Sequence, residues 1–168
     1  TGRPEWVTRS PRILSFAGKM DGAASQMQKE ARGYLLSGDP SFADSYKRAS
    51  ADFSTLMGYL TVLVAGEPAD VDQLTQIRER MQRWVSEFAL PAMTARREGR
   101  KVAAVVPLDQ NEDRMNEVSR TIAQFETEQT DRYQARAAAT AQHGFQTSIA
   151  HDLCAAPTCC VVDPTGLF

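Results

Sequence analysis

Apolar and small residues recur along the chain in four stripes, and the spacings within each stripe alternate between three and four residues. The stripes consist of Ile13, Ala17, Met20, Ala24, Met27, Ala31 and Tyr34; of Phe42, Tyr46, Ala49, Phe53, Leu56, Leu60 and Leu63; of Leu74, Ile77, Met81, Trp84 and Phe88; and of Met115, Val118, Ile122 and Phe125. Such spacing places the apolar side chains on one face of an amphipathic helix. The pattern predicts four helices, over about residues 13–36, 41–64, 70–97 and 110–142.

The first two stripes are separated by a tight reversal of the chain, to which we assign Gly33, Gly38, Asp39 and Pro40. Glycine adopts the left-handed conformation that closes a helix, aspartate caps the next helix, and proline suits its first turn. The reversal is therefore expected to be the tip of an antiparallel helical hairpin.

The third predicted helix contains a start signal and an interruption. Asp70 with Gln73 has the spacing of a capping box at a helix start. Pro91 removes a hydrogen bond to the preceding turn and either kinks the helix near Glu87 or ends it. We expect a kink, because the residues after Pro91 still suit a helix.

Four helices with short connections predict an all-α fold, an antiparallel up-down-up-down four-helix bundle with long first and fourth helices. In this arrangement the Gly38 turn and the loop at 96–108 lie at the end opposite to the chain termini. Residues 1–12 are expected to be an irregular lead-in because they contain Pro4 and Pro11. Residues 143–168, which hold all three cysteines, are expected to be a disordered or appended tail outside the domain at 13–142.

The composition of the chain is that of a globular protein and excludes several functions. It is 42% hydrophobic and 24% charged, and its net charge of −2 leaves no excess of basic residues for binding nucleic acid. No apolar run is long enough to span a bilayer. A domain cut from between two membrane helices would look the same.

No catalytic motif or cofactor-binding motif is present, so we expect no enzymatic activity, no cofactor and no metal. His151, Cys154, Cys159 and Cys160 form the one metal-like grouping, and their spacing fits no zinc motif. The methionines of the stripes are expected to fill the core, although methionine also lines adaptable cavities between helices.

Basic residues near the tip are the candidates for binding a ligand. Arg96 and Arg97 either bind an anion or cap the negative end of the third helix. Arg32 stands beside the first stripe and either binds a ligand or pairs with Glu117. The full set of candidate ligand-binding residues is Arg32, Tyr34, Trp84, Arg96 and Arg97.

The segment 32–39, Arg-Gly-Tyr-Leu-Leu-Ser-Gly-Asp, followed by Phe42 and Tyr46, resembles the signature of the third subtype of CHASE domains. The family usually has Thr where this chain has Ser37. Trp84, Pro91, the segment 96–99 and the residues Met115, Arg120, Phe125 and Glu128 follow in the expected order. The resemblance covers about residues 20–136.

The resemblance implies an extracytoplasmic four-helix sensor, located between two transmembrane helices of a bacterial receptor that are absent from this chain. It implies a periplasmic or extracellular location and an output domain that is commonly a histidine kinase. A homodimer and an unknown small-molecule or protein signal are the expected partners. The alternative is a soluble helical protein-protein interaction module.

Overall fold

The computed structural model describes residues 4–153 of the chain, with side chains described from 4 to 142. Residues 4–153 are almost entirely helical and contain no strand. The elements are α1 (Glu5–Ser37), α2 (Pro40–Leu63), α3 (Pro68–Trp84), a π-helical turn (Val85–Ala89), α4 (Leu90–Arg97), a 3₁₀ turn (Val102–Ala104) and α5 (Gln110–Leu153).

Helix α1 begins at Glu5, so the prediction of an irregular lead-in up to residue 12 is wrong. The amide of Val7 donates to the Pro4 carbonyl at 3.0 Å, and the acidic Glu5 lies in the first turn, where the helix dipole favours negative charge. Pro11 lies inside the helix. Proline removes a single backbone donor from the helix. Ser10 and Ile13 on either side are buried, and their packing favours the helical path, so the helix continues through Pro11. Residues 1–3 lie outside the described part of the chain.

The connection between α1 and α2 is a two-residue turn. Gly38 has φ = 73°, and its amide donates to the Tyr34 carbonyl at 2.7 Å. The Asp39 side chain accepts from the Ser41 amide at 2.9 Å, which lowers the pKa of Asp39, and Pro40 opens α2. A Cβ at Gly33 would lie 2.5 Å from the Phe42 ring, so glycine is what lets the start of α2 approach α1 this closely.

The stripes of α1, α3 and α5 are buried as predicted, and the stripe of α2 is displaced in its second half. Met57 and Val64 are buried where the pattern predicts Leu56 and Leu63. The buried positions of α2 follow the 3.6-residue period of a straight α-helix, not the 3.5-residue period of a heptad. Helix α2 therefore presents Met57, rather than Leu56, to the core.

The predicted kink near Glu87 takes the form of a π-helical turn. The Leu90 amide donates to the Val85 carbonyl, five residues earlier, and α4 starts with Pro91 in its first turn. Pro91 has no amide to offer to the Glu87 carbonyl, so the backbone widens over the preceding residues. Phe88 and Ala89 are both buried because the wide turn admits one extra residue.

Helix α3 begins at Pro68, two residues before the predicted capping residue Asp70. Proline is favoured at the first helical position, and Asp70 lies within the first turn with its amide donating to the Glu67 carbonyl at 3.0 Å. Asp70 is therefore a buried residue of the helix and not its cap.

Helix α5 continues to Leu153, past the predicted end at residue 142. The alanine-rich residues 135–141 favour helix, which sustains it where the apolar stripe has ended. The remainder of the predicted tail, including Cys154, Cys159 and Cys160, lies outside the described residues.

The chain forms two compact units, one ending at Asp131 and the other beginning at Arg132. In the first unit, α1 and α2 pack antiparallel along their length: Phe16 meets Tyr59 with ring centroids 5.4 Å apart, and Gly33 meets Phe42 near the turn. An ion pair of 3.7 Å between Arg9 and Glu67 joins the start of α1 to the α2–α3 connection. In the second unit, no residue from 132 to 142 is buried.

Candidate functional site

A groove of about 740 Å³ runs between α2 and the segment formed by α3 and the π-helical turn. We call it the α2–α3 groove. It is lined by Met27, Ser50, Phe53, Ser54, Met57, Gly58, Arg78, Met81, Gln82, Arg83, Val85, Ser86 and Glu87. Its volume lies within the range of small-molecule sites, about 300–1,000 Å³.

The floor of the α2–α3 groove is apolar and its rim is polar. Met27, Phe53, Met57 and Met81 form the floor and are each at most 5% exposed. The rim consists of serine hydroxyls, the Gln82 amide and three charged side chains, which are exposed. Such a combination suits a ligand with an apolar body and a polar end.

The charged groups of the rim are not equally engaged by other side chains. Glu87 forms an ion pair with Arg114 of α5. Arg78 donates to the Thr61 hydroxyl at 3.4 Å, and neither Arg78 nor Arg83 has a carboxylate within 4.0 Å among residues 4–142. The rim therefore carries an excess of positive charge.

Two polar contacts join the π-helical turn and the residue before it to the first turns of α5. The Trp84 indole N–H donates to Asn111 Oδ1 at 2.7 Å, and Glu87 pairs with Arg114. Glu87 also lines the α2–α3 groove. A molecule in the groove would thus touch a segment that is bonded directly to α5.

Tyr34 and Trp84, two of the predicted ligand-binding residues, lie in the core. Trp84 is completely buried between Tyr46 and Phe88, with ring centroids at 6.4 and 6.2 Å. Tyr34 is 8% exposed. Val85, the residue after Trp84, lines the α2–α3 groove, but the Trp84 indole does not line it.

The predicted basic residues Arg96 and Arg97 lie at the end of α4, and both are exposed. The Arg96 guanidinium covers the α1–α2 turn: its Nη2 lies 3.1 Å from the position of a Cβ at Gly38. The structure therefore brings the tip turn and the end of α4 together.

Arg32 is exposed and lines a smaller groove between α1 and α2, beside Lys29 and Phe42. The predicted pairing of Arg32 with Glu117 does not form. Glu117 instead lines a shallow depression with Arg80 and Arg83 of α3. The two residues extend from α1 and α5 toward different neighbours, a distinction that stripe spacing alone does not give.

Sequence reasoning missed the α2–α3 groove, although part of its signal was visible. Met27 and Met81 belong to the predicted stripes, and methionine is a residue that also lines adaptable cavities between helices. A second signal was the run of small residues Ser50, Ser54 and Gly58, spaced four apart on α2. These residues share one helix face, and the structure turns that face toward α3.

The described residues give no sign of a metal centre or a membrane span. No group of three or more histidine, cysteine or acidic side chains among them could hold a metal ion. None of their helices combines the length and the apolar character needed to cross a bilayer.

Comparison with known families identifies the domain. The family model of the CHASE3 domain matches residues 4–139, which includes the α1–α2 turn and every residue of the α2–α3 groove. No curated protein and no solved structure gives a significant match. Since the family model covers most of the chain, the protein belongs to the CHASE3 domain family.

Proposed function

We propose that this chain is the signal-input domain of a bacterial transmembrane receptor whose output is a histidine kinase. The observation that carries the proposal is the CHASE3 match over residues 4–139. CHASE3 domains are sensory, extracellular-type domains of signalling receptors, which indicates an extracytoplasmic location. The chain would have no catalytic activity of its own and would act on the kinase through its conformation.

The helices are proposed to pack as an antiparallel up-down-up-down bundle, with α3, the π-helical turn and α4 as the third member. Side-chain positions support this order. Arg96 of α4 lies against the α1–α2 turn, Asn111 of α5 accepts a hydrogen bond from Trp84, and Glu117 further along α5 lines the same depression as the earlier residue Arg80. Helix α5 thus runs antiparallel to α3.

The signal is proposed to pass through α1 and α5, the first and last helices of the bundle. Ligand binding or a change in packing would displace one against the other, and packed interfaces respond to such displacement by switching between discrete arrangements. A parallel homodimer formed by the exposed parts of α1 and α5 would place two such pairs side by side.

The sequence of the parent gene tests the receptor proposal. We expect apolar segments of about 20 residues on both sides of the domain, long enough to span a bilayer, and a histidine kinase after the second. A parent without them would overturn the proposal and favour the alternative, a soluble helical interaction module. Sedimentation velocity over a range of protein concentrations tests the homodimer, which a monomer at every concentration would contradict.

A further inference from the structure

We propose that the α2–α3 groove binds an amphipathic carboxylate, a molecule with an extended, unbranched apolar body and a single carboxylate at one end. That this molecule is the signal detected by the receptor rests on the function proposed above. The binding itself is a property of the isolated chain.

The shape of the groove favours an extended body. Ser50, Ser54 and Gly58 stand on one face of α2 and leave a channel along the helix, about 12 Å long from Ser50 to Gly58 at 1.5 Å per residue. A Cβ at Gly58 would meet no atom within 4 Å, so the channel is empty at this end. The small side chains of α2 thus make the space, and at Gly58 no other described side chain enters it.

The floor of the groove favours an aliphatic body. Three of its four buried side chains are Met27, Met57 and Met81, which come from three different helices. Methionine is unbranched and polarizable and adapts its conformation to an apolar guest. Phe53 completes the floor, and no charged group lies among these four.

The rim of the groove favours an anionic end. The guanidinium groups of Arg78 and Arg83 line it without an ion-pair partner among residues 4–142, whereas the negative charge of Glu87 is matched by Arg114. Arg83 also borders the depression that contains Glu79 and Glu117, whose negative charges lie near its own charge. Arg78 is therefore the residue whose positive charge a ligand carboxylate is expected to neutralise. A guanidinium binds a carboxylate through two parallel hydrogen bonds.

Binding of a ligand in the groove is expected to affect the contacts between its wall and α5. Val85, Ser86 and Glu87 of the π-helical turn form one wall, and the contacts of Glu87 with Arg114 and of Trp84 with Asn111 connect this wall to α5. Trp84 is therefore a local reporter, and the chain has only one other tryptophan, Trp6.

The test uses sodium dodecanoate as the probe and the full chain with Trp6→Phe, so that the fluorescence reports on Trp84 alone. We expect saturable binding by isothermal titration calorimetry, with a matching change in Trp84 emission. Dodecan-1-ol, which lacks the carboxylate, is expected to bind at least tenfold more weakly. Absence of dodecanoate binding up to about 1 mM, the weak end of specific affinity, would overturn the proposal.

Two pairs of variants locate the site. Gly58→Leu fills the channel with a better helix former than glycine, so we expect an unchanged or higher melting temperature and at least a tenfold loss of affinity. Gly22→Leu is its control, because a Cβ at Gly22 on α1 also meets no atom within 4 Å and Gly22 does not line the groove. Arg78→Gln is expected to weaken binding about tenfold, and Arg48→Gln, on α2 outside the groove, to leave it unchanged.

Undiminished binding by a folded Gly58→Leu variant would overturn the site, as would equal losses in Gly58→Leu and Gly22→Leu. Loss of binding on Arg96→Gln with no loss on Arg78→Gln would place the anion at the basic tip and not in the groove. These outcomes are independent of the parent gene: a parent without membrane segments would contradict the receptor, not the binding.

Discussion

Tyr46 carries a hydroxyl that the core does not satisfy. The residue is 5% exposed, its ring lies against Trp84, and its hydroxyl has no hydrogen-bond partner in the part of the chain that the structure describes. Burial raises the pKa of Tyr46 to about 12 from 10.0. The aromatic ring contributes to packing while the hydroxyl opposes it.

Tyr46→Phe is therefore expected to raise the free energy of unfolding, by about 1 kcal/mol, because it removes a buried polar group that has no partner. Above pH 10 the unfolded tyrosine ionises before the folded one, so the native protein loses stability there and the variant loses less. Urea denaturation at pH 7 and pH 10.5 measures both effects. Tyr59→Phe, at a 53% exposed site, is the control and should change little. A destabilised Tyr46→Phe would show that the hydroxyl is satisfied.

Glu126 of α5 faces α1 close to another carboxylate. Its Oε1 lies 3.5 Å from the position of a Cβ at Gly18, and Asp21 Oδ1 is buried with no hydrogen-bond partner among the described side chains and backbone. Burial, and secondarily the charge of Asp21, raises the pKa of Glu126 above 4.5. The folded chain therefore resists ionisation of this carboxyl.

The sign of the resulting pH dependence follows from proton linkage. Just above pH 4.5 the native state holds the Glu126 proton more tightly than the unfolded state, so ionisation at higher pH lowers stability. Glu126→Gln is expected to be more stable than the wild type at pH 7 and to lose that advantage at pH 4. Unfolding in urea at both pH values measures the difference, with exposed Glu79→Gln as the control. An advantage of equal size at both pH values would contradict the assignment.

At the scale of elements, the α1–α2 turn depends on glycine for two separate reasons. Gly38 has a positive φ, and the Arg96 guanidinium lies 3.1 Å from where its Cβ would be. The turn and the end of α4 thus constrain each other.

Gly38→Ala is expected to destabilise the domain by about 1–2 kcal/mol, the magnitude of left-handed strain for a residue with a Cβ. Adding Arg96→Ala to the Gly38→Ala variant should recover only the part of the lost stability that comes from the contact between the new Cβ and the Arg96 guanidinium. A double-mutant cycle in urea denaturation would measure that part. Gly22→Ala is the control and should stabilise, because it lies in open space within a helix. A Gly38→Ala variant as stable as the wild type would exclude a strained turn.

The helices and most of the core could be predicted from the stripes because apolar periodicity determines which face of each helix is buried. The burial of Met57 in place of Leu56 could not be predicted, since a heptad and a straight helix differ by only a fraction of a turn over α2. Pro91 indicated the kink, but whether the backbone tilts or takes in an extra residue depends on the packing of Phe88 and Ala89.

At the scale of the whole molecule, the α2–α3 groove is a property of two surfaces that face each other. Ser50, Ser54 and Gly58 are visible in the sequence as small residues on one face of α2. That they create a channel depends on the depth at which Met81 and Val85 pack opposite, which no local pattern specifies. The family could be predicted from the 32–39 segment, whereas the site required the assembled helices.

The first compact unit ends at Asp131, shortly after the apolar stripe of α5 ends at Phe125. After Phe125 the next buried position on that face is Gln129, whose Nε2 has no hydrogen-bond partner within the described residues. A buried amide stabilises the packing at this end of the core less than the apolar side chains of Ile122 and Phe125 do. We therefore expect hydrogen exchange in α5 to be faster near Gln129 than near Ile122.

The hydrogen-bond spacing of the π-helical turn determines the position of α4 along and around its axis. If its hydrogen bonds changed from a five-residue to a four-residue spacing, α4 would advance by one residue, about 1.5 Å along its axis and about 100° around it. Arg96 would then leave its position over Gly38, and the wall of the groove at Ser86 and Glu87 would turn. Such a change would link the wall of the groove to the tip through a movement of α4 by one residue.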